Sequence, residues 1–207
     1  MEIVSPEIET YMGEIYGERH RVLREMEAEA EKRDFPIVGP LVGKLFFQLA
    51  KMTGARRVFE MGSGYGYSAL WWALGMERGE VICTEGSESN KSSGEKYLKK
   101  AGLLDKVKYH VGDALEIIDG VRGKFDIVFI DIEKRDYPRA LRKAVPRVKK
   151  GGLIVADNVL WSGKVVESRG DESTEGIKEF NRLLFSLKEF STSIIPVRDG
   201  VAVAYKI

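Results

Sequence analysis

The sequence predicts a doubly wound α/β domain built on a seven-stranded, mostly parallel sheet. Short β-rich runs alternate with helical stretches through the middle of the chain, and two strand-like runs separated by a short turn close it. Such alternation indicates parallel strands joined by right-handed crossovers, whereas a closing hairpin adds an antiparallel pair. With 207 residues, 43% of them hydrophobic, the chain is expected to form one domain over 1–207.

Extra helices are expected over 1–53, in front of an α/β core over 54–207. Apolar residues recur at helical spacing from Pro6 to about Lys32, which predicts one long helix or two helices with a break near Gly17. A further helix is predicted from Pro40 to Met52. The N-terminal segment is expected to pack across the binding edge of the domain or against a second subunit.

The core is expected to run through five strands and their connecting helices before the hairpin. β-rich runs predict strands at 57–61, 80–85, 107–111, 125–131 and 152–157. Apolar spacing predicts helices at 67–75, 88–101, 114–119 and 137–149. The closing hairpin is expected to join 191–197 to 201–205 through the turn Arg198-Asp199-Gly200.

Charge and cysteine content exclude several classes of protein. The 33 basic and 32 acidic residues give a net charge of +1, which indicates neither nucleic-acid steering nor attraction to a membrane. The single cysteine, Cys83, lies in an apolar run and is expected to be a small buried hydrophobe, and no disulfide within the chain is possible. No apolar run reaches the ~18 residues of a membrane span, so a cytoplasmic protein without a membrane partner is expected.

Acidic residues end the predicted strands one after another. In a doubly wound sheet, ligands bind beyond the carboxyl ends of the strands, near the point where strand order reverses. The residues at these ends are Glu60, Glu85, Asp113, Asp131 and Asp157, the last followed by Asn158. Any one of them alone is more simply a solvated loop acid. Five in succession indicate a functional site.

A glycine-rich loop follows the first strand, with the sequence Glu60-Met61-Gly62-Ser63-Gly64-Tyr65-Gly66. A dinucleotide fingerprint would place its third glycine at position 67, which is Tyr67, and the chain has no G-x-x-x-x-G-K-[ST] phosphate loop. The glycines let the backbone approach a ligand closely, and Glu60 supplies a carboxylate at the loop entrance. This combination favours a zwitterionic cofactor without a phosphate.

The loop at 60–66 resembles motif I of class I S-adenosylmethionine-dependent methyltransferases. Further segments occur in the order of the cation-dependent O-methyltransferase family, which includes catechol and caffeoyl-coenzyme A O-methyltransferases. These segments are Ser5-Pro6-Glu7, Pro36-Ile37-Val38-Gly39-Pro40, Gly64-Tyr65-Gly66-Tyr67-Ser68, Glu85, Gly112-Asp113-Ala114, Phe129-Ile130-Asp131, Lys134, Tyr137-Pro138, Gly151-Gly152, Asp157-Asn158-Val159-Leu160-Trp161 and Asp199-Gly200. The resemblance covers nearly the whole chain and implies a Rossmann-like methyltransferase fold, and its most specific parts are Asp131 with Lys134 and the Asp157-Asn158 pair.

The resemblance implies S-adenosylmethionine as cofactor and assigns residues to its parts. Glu85 would accept hydrogen bonds from both ribose hydroxyls, and Asp113 with Ala114 would meet the adenine edge. The methionine portion would be surrounded by Val38, Glu60, Gly62 and Ser68, with Asp131 close to its amino group. On sequence alone, Ser68 is as readily a helix N-cap, and Val38 an ordinary core residue.

The resemblance further implies a metal site and a base. Asp131, Asp157 and Asn158 offer oxygen ligands only, which suits a hard divalent cation such as Mg²⁺, and neither His20 nor His110 is expected to join them. A cation that binds two vicinal oxygens of a hydroxylated, catechol-like small molecule would position the attacking oxygen. Lys134 would be the general base, because a desolvated amine beside a cation loses its proton more readily. The alternative is a surface lysine that stabilises Asp131 or Glu133.

The acceptor and the mechanism stay open at this stage. Some bacterial family members methylate a hydroxylated uridine in transfer RNA, and here Arg135, Arg139, Arg142, Lys143, Arg147, Lys149 and Lys150 fall on or around one predicted helix that could either track phosphates or form a solvated face. The residues are also compatible with a metal-independent methyltransferase and with a non-catalytic S-adenosylmethionine-binding module. Residues 131–134 lack the aromatic residue of animal catechol enzymes, which Trp161 could replace.

Two further predictions concern a cover over the acceptor and the assembly of the protein. The stretch Trp161–Gly176 is predicted to be a mobile cover over the acceptor, or else a plain exposed connection. A homodimer is implied by the resemblance alone.

Overall fold

The computed structural model describes residues 3–207, so the first two residues of the predicted domain lie outside the described residues. Seven strands form one sheet in the order β3-β2-β1-β4-β5-β7-β6. The strands are β1 Arg57–Met61, β2 Glu80–Glu85, β3 Val107–Val111, β4 Phe125–Ile130, β5 Val148–Ala156, β6 Phe190–Ile195 and β7 Val201–Lys206. Strands β1 to β5 pair in parallel, and β7 pairs antiparallel with both β5 and β6. The predicted sheet is confirmed.

Eight α-helices surround the sheet among the described residues. They are α1 Pro6–Ile15, α2 Arg21–Arg33, α3 Gly39–Thr53, α4 Tyr67–Gly75, α5 Glu88–Lys100, α6 Ala114–Gly120, α7 Tyr137–Ala144 and α8 Glu172–Ser186. One core contains residues of α2 to α5, and a second core contains residues of α6 to α8. Strand β1 is buried along Val58–Met61 because helices cover both faces of the sheet. Within residues 3–207, no helix has the length and apolar character needed to cross a membrane.

The N-terminal segment forms two helices with a break that includes Gly17, which is the second of the two predicted arrangements. Ser5 is the N-cap of the first helix, where its side chain accepts a hydrogen bond from the amide of Ile8, and Pro6 occupies the first turn. Asp34 is the C-cap of the second helix and adopts a left-handed backbone with a φ of 49°. These boundaries follow from local capping chemistry.

The predicted helix at 137–149 is wrong in its second half. The helix α7 ends at Ala144, a 3-10 turn spans Val145–Arg147, and Val148 already begins β5. Pro146 lies in that turn, where its missing N–H and its ring oppose continuation of an α-helix. Two basic residues predicted within this helix therefore lie beyond it, Arg147 in the 3-10 turn and Lys149 in β5.

The sequence analysis missed α8. Asp171 caps this helix by accepting a hydrogen bond from the amide of Thr174 at 2.8 Å. Its buried face includes Ile177, Phe180 and Leu184, which stand at helical spacing. Residues 172–176 of the predicted cover are therefore its first turns, and a 3-10 helix occupies Trp161–Val166. The stretch predicted as a mobile cover or a plain exposed connection is thus partly helical, and its role as a cover stays a prediction.

Candidate active site

A large cavity of about 1200 Å³ opens at the carboxyl ends of the parallel strands. The chain order of the strands reverses between β1 and β4, and residues that follow both strands line the cavity, including Gly62 and Asp131. This is the place where doubly wound sheets bind ligands. The predicted site residues that line it are Val38, Gly62, Ser68, Glu85, Asp131, Lys134, Asp157 and Asn158, while Glu60, Asp113 and Ala114 do not.

The glycine loop is held tightly against the neighbouring strand. The amide of Asp131 donates to the carbonyl of Met61 at 2.9 Å, and the amide of Gly62 donates to Thr84 Oγ1 at 3.3 Å. Gly62 has a φ of 83°, and a Cβ at this position would collide with the carbonyl oxygen of Asp131. Glycine is thus required here both by the backbone conformation and by the close approach of the next strand.

Glu60 lies beneath this loop instead of on the cavity wall. Its side chain is fully buried, and it accepts hydrogen bonds from Ser68 Oγ and, at 3.4 Å, from Cys83 Sγ. Burial raises the pKa of the Glu60 carboxyl to about 7. Gly66 and not Ser68 is the N-cap of α4. Ser68 therefore connects the cavity wall to the buried carboxyl group of Glu60, and the alternative reading of Ser68 as an N-cap is wrong.

The end of β2 provides a fixed carboxylate. Glu85 Oε1 accepts hydrogen bonds from the amide of Ser87 at 3.0 Å and from Asn90 Nδ2 at 3.1 Å. Asn90 also lines the cavity, and sequence reasoning did not identify it. Asp113 instead caps α6 by accepting a hydrogen bond from the amide of Leu115 at 2.7 Å. The assignment of Asp113 and Ala114 to the adenine edge stays a prediction.

The end of β4 carries the candidate base in a defined setting. Lys134 Nζ lies 2.7 Å from Asp131 Oδ1 and 2.8 Å from the hydroxyl oxygen of Tyr137. Only 11% of the Lys134 side chain is exposed, so it is not a surface lysine, although it does pair with Asp131. The Tyr137 hydroxyl is buried and lies within hydrogen-bonding distance of the carbonyls of Asp157, at 3.0 Å, and Ile130, at 3.3 Å. Tyr137 thus links the lysine to the end of β5.

Asp157 and Asn158 follow β5 on the same edge. Asp157 is 4% exposed, and its Oδ1 accepts a hydrogen bond from the amide of Asn158 at 2.9 Å. Burial first and the negative charge of Asp131 second raise the pKa of Asp157 to about 7. Asn158 has a φ of 56°, a left-handed conformation that asparagine adopts more readily than most residues.

The donor set fits a hard divalent cation. Within residues 3–207 no cluster of three or more His, Cys, Asp or Glu side chains could hold a metal, so any site here would consist of two carboxylates and one amide oxygen. Oxygen donors that leave positions open suit Mg²⁺ better than zinc, which takes nitrogen and sulfur ligands. The crowding of two carboxylates, one of them buried, is also what a cation would relieve.

The turn between β6 and β7 forms part of the cavity wall next to the segment after β5. The amides of Val159 and Leu160 donate to the carbonyls of Gly200 and Asp199, each at 3.0 Å. Trp161 follows, and its ring centre lies 6.0 Å from Lys134 Nζ. Trp161, Arg198 and Asp199 all line the cavity, and the sequence analysis had given Arg198 no role beyond the turn. Trp161 therefore supplies an aromatic wall near the lysine.

The basic residues around α7 are mostly engaged with the protein itself. Their partners are Glu172 for Arg135 (3.7 Å), Asp136 for Arg139 (2.8 Å), Glu179 for Arg142 (2.8 Å), Asp119 for Lys143, and Asp126 for Lys149 (2.7 Å). Arg147 donates to backbone carbonyls, including that of Gly123. This pattern is that of a solvated, ion-paired face.

Comparisons with known proteins agree with this geometry. A family model described as O-methyltransferase matches residues 13–207. Caffeoyl-CoA O-methyltransferase 1 of Eucalyptus globulus is 30% identical over 178 residues, which cover 80% of this chain and 72% of that protein. Catechol O-methyltransferase of Niastella koreensis is 31% identical over 178 residues, which cover 81% and 80% respectively.

Two solved structures extend the comparison. The O-methyltransferase from Bacillus cereus in complex with SAH superposes with a TM-score of 0.89 at 26% identity and covers 97% of each chain. An O-methyltransferase from Streptomyces achromogenes in complex with SAM gives 0.88 at 27% identity, covering 97% of this chain and 96% of that one. The Rossmann-like methyltransferase fold implied by the resemblance is confirmed, and this chain belongs to the O-methyltransferase family.

Proposed function

We propose that the protein transfers a methyl group from S-adenosylmethionine to one hydroxyl of a catechol-like small molecule, with Mg²⁺ as the cation and Lys134 as the base. One observation carries the proposal: the glycine loop, Asp131 and Lys134 line the same cavity. A methyl donor held at the loop and an acceptor held at the lysine would lie side by side, which converts a bimolecular reaction into one within a single complex.

The cofactor would occupy the loop side of the cavity. The bound SAH and SAM of the two structural relatives support this placement. Glu85, oriented by Ser87 and Asn90, would bind the ribose hydroxyls, and Val38, Gly62 and Ser68 would surround the methionine portion. The cofactor supplies an electrophilic methyl group on a sulfonium, and the open backbone of the loop lets that group approach the acceptor.

Asp131, Asp157 and Asn158 would hold the cation. Once bound, a divalent cation supplies Lewis acidity and a fixed position for two vicinal acceptor oxygens. The residues themselves contribute the rigidity of this site: Asp157 is fixed by the amide of Asn158, and Asp131 by its pairing with Lys134. Vicinal oxygens are the property that a catechol has and a simple phenol lacks.

Lys134 is suited to accept the acceptor's hydroxyl proton. A neutral amine has two N–H groups and one lone pair. Asp131 Oδ1 and the Tyr137 hydroxyl are both within hydrogen-bonding distance, so the two N–H groups can point at them and leave the lone pair for the cavity. Burial raises the pKa of the Tyr137 hydroxyl well above its ordinary value, so Tyr137 remains a neutral partner that holds the amine in place.

The test measures transfer of labelled methyl from S-adenosylmethionine to caffeic acid and, in parallel, to unmethylated bulk transfer RNA, each with Mg²⁺ or with chelator. We expect labelling of caffeic acid that chelator abolishes and that Asp157→Ala removes. Asp119→Ala is the matched control, because Asp119 is an exposed acid paired with Lys143 away from the cavity.

Each of the remaining outcomes points to a different function. Labelling confined to the RNA would replace the catechol with a hydroxylated uridine, and labelling that survives chelator would support a metal-independent methyltransferase. Binding of the cofactor without labelling of either acceptor would support a non-catalytic module. The ion pairs around α7 leave few free cations there for phosphate contacts, which favours the small molecule.

A homodimer is proposed as the assembly. Helix α1 exposes Ile8, Tyr11 and Ile15, which are 51%, 58% and 61% accessible and recur at helical spacing. The same helix places Glu9 and Gly13 at the cavity, so a second copy that covers its apolar side would also steady the cavity wall. Light scattering is expected to give twice the chain mass, and Tyr11→Glu with Ile15→Glu is expected to give a monomer.

A further inference from the structure

The cavity wall contains a second cation besides Lys134, the guanidinium of Arg198. It stands in the turn between β6 and β7 with a φ of 50°, a left-handed conformation that is uncommon for residues other than glycine, asparagine and aspartate. This turn is hydrogen-bonded to the segment after β5 through two backbone amides, and Asp157, Asn158 and Trp161 of that segment line the same cavity. Because this backbone conformation is unfavourable for arginine, its presence suggests a functional role for the Arg198 side chain.

Residues 37–39 hold the Arg198 side chain in place. Arg198 Nη1 donates to the carbonyl of Ile37 at 2.9 Å. Gly39 lies directly against the guanidinium, and a Cβ built on Gly39 would collide with Arg198 Nη1. The first residue of α3 is thus glycine where any larger residue would displace the arginine, and the carbonyl of Ile37 positions one edge of the guanidinium while other N–H groups remain.

Arg198 forms no direct ion pair with a carboxylate among the described residues, although its positive charge acts at longer range on Asp157 and lowers the pKa of that group, against the larger effect of burial. Among residues 3–207, no carboxylate oxygen forms an ion pair with Arg198 within 4.0 Å, whereas Lys134 is paired with Asp131 at 2.7 Å. The neighbouring Asp199 accepts a hydrogen bond from the amide of Ser162. Elsewhere the lining contains several carboxylates, including Glu31, Asp34 and Glu133, which repel anions. An anionic group in the cavity is therefore favoured beside Arg198 and disfavoured along those parts of the wall.

We propose that Arg198 is a specificity-determining residue that binds a carboxylate on the acceptor, so that the preferred acceptors are ortho-dihydroxyaryl carboxylates. This inference rests on the proposed function and extends it to the substrate class. A guanidinium can bind a carboxylate through two parallel N–H···O bonds, which fixes orientation as well as affinity. With the carboxylate held at Arg198 and the two hydroxyls at the metal site, one hydroxyl is always directed to the methyl donor, so a single monomethyl product is expected.

The test compares 3,4-dihydroxybenzoate with its neutral analogue 3,4-dihydroxybenzamide, which has the same ring and the same hydroxyls. For the wild type we expect a kcat/KM about tenfold higher for the benzoate, the size of one charge-assisted interaction in a solvent-exposed setting. Arg198→Asn is expected to lower the benzoate-to-benzamide ratio by about the same factor and to yield both monomethyl isomers from the benzoate. Asparagine accepts the left-handed backbone, so this variant does not strain the turn.

Arg198→Lys is the conservative variant. It separates the effect of the positive charge from the effect of the fixed orientation of the guanidinium. It is expected to recover part of the preference for the benzoate but not the single product, because an ammonium binds as a point charge. Equal methylation of both compounds by the wild type, or equal losses for both compounds in Arg198→Asn, would overturn the role of Arg198 and leave the proposed function standing. Methylation of neither compound by the wild type would contradict the proposed function itself, and this inference with it.

Discussion

The hydroxyl oxygen of Tyr137 lies 2.8 Å from Lys134 Nζ and 3.0 Å from the carbonyl oxygen of Asp157. One buried phenol therefore connects the candidate base after β4 to the candidate metal ligands Asp157 and Asn158 after β5. Neither distance is visible in the sequence, where Tyr137 is simply the residue that begins a helix. The relationship indicates that the position of the lysine depends on a residue that does not line the cavity.

Tyr137→Phe is expected to lower kcat about tenfold with little change in KM for S-adenosylmethionine. The phenylalanine keeps the buried ring that packs on Phe180 but leaves the amine with one fixed partner instead of two. The free energy of unfolding should fall by about 1–2 kcal/mol, because buried carbonyl groups lose a donor. Steady-state kinetics and urea denaturation measure both effects. An unchanged kcat would contradict the positioning role.

Lys134→Arg is expected to lower kcat by at least about 100-fold while the affinity for SAH stays within about twofold. Arginine keeps the positive charge beside Asp131 but does not give up its proton at physiological pH. Calorimetry with SAH reports on the cofactor side of the cavity and serves as the internal control. If the arginine variant turned over like the wild type, Lys134 would be an ion-pairing residue and not the base.

Glu60→Gln should change the pH dependence of stability. The folded-state pKa of Glu60 is raised to about 7 from an ordinary 4.5, so the folded state favours the protonated form. Its contribution is fully present below pH 4.5 and is lost as the pH rises through about 7, a total of about 3 kcal/mol. Glutamine avoids that loss and can still accept the bond from Ser68. Urea denaturation at pH 5 and pH 8 should therefore show that the free energy of unfolding of the variant, relative to that of the wild type, is higher at pH 8. The same difference at both pH values would contradict the effect of burial on Glu60.

Binding of Mg²⁺ should strengthen as the pH rises from 6 to 8. A cation ligand must be deprotonated, and burial together with Asp131 raises the pKa of Asp157 to about 7. Calorimetric titration of the metal-free protein with Mg²⁺ measures the change, which should be about tenfold in Kd over this range. Asp157→Asn should remove most of the binding and its pH dependence together. Binding that is as tight at pH 6 as at pH 8 would exclude Asp157 as the titrating ligand.

Gly62→Ala is expected to cost clearly more stability than Gly54→Ala. Both glycines have positive φ values, 83° and 58°, so both variants pay about 1–2 kcal/mol of backbone strain. A Cβ on Gly54 would meet open space, whereas one on Gly62 would collide with the carbonyl of Asp131. The excess for Gly62→Ala should be accompanied by weaker SAH binding, which Gly54→Ala should not show. Equal losses would mean that the loop can move away from β4.

The sequence predicts those parts of the molecule that depend on local patterns. Strand boundaries from β1 to β4 agree with apolar runs to within a residue. Three of the five strand-end acids, Glu85, Asp131 and Asp157, line one cavity because parallel strands all point the same way. The two differences also have signals in the sequence. Helix α8 has a clear apolar face and an Asp171 cap, and Pro146 indicates that the helix predicted at 137–149 ends before it.

The remaining site residues depend on tertiary contacts. Asn90 acts by orienting Glu85, Tyr137 by reaching across to β5, and Arg198 by resting on a segment more than 150 positions away. The sequence predicts Glu60 next to the cofactor because it opens the glycine loop. In the structure its strand is covered on both faces, and its side chain points into the interior. Spacing along the chain does not encode any of these relationships.

The position of β7 has a consequence for how the enzyme is made. This strand, at Val201–Lys206, does not lie at the edge of the sheet but is inserted between β5 and β6, and the turn before it holds Val159 and Leu160 beside Asp157 and Asn158. A ribosome must therefore release residues up to 206 before the sheet can close. A nascent chain that contains Lys134, Asp157 and Asn158 but not yet the β6–β7 turn therefore lacks the backbone contacts that hold the segment after β5 in place.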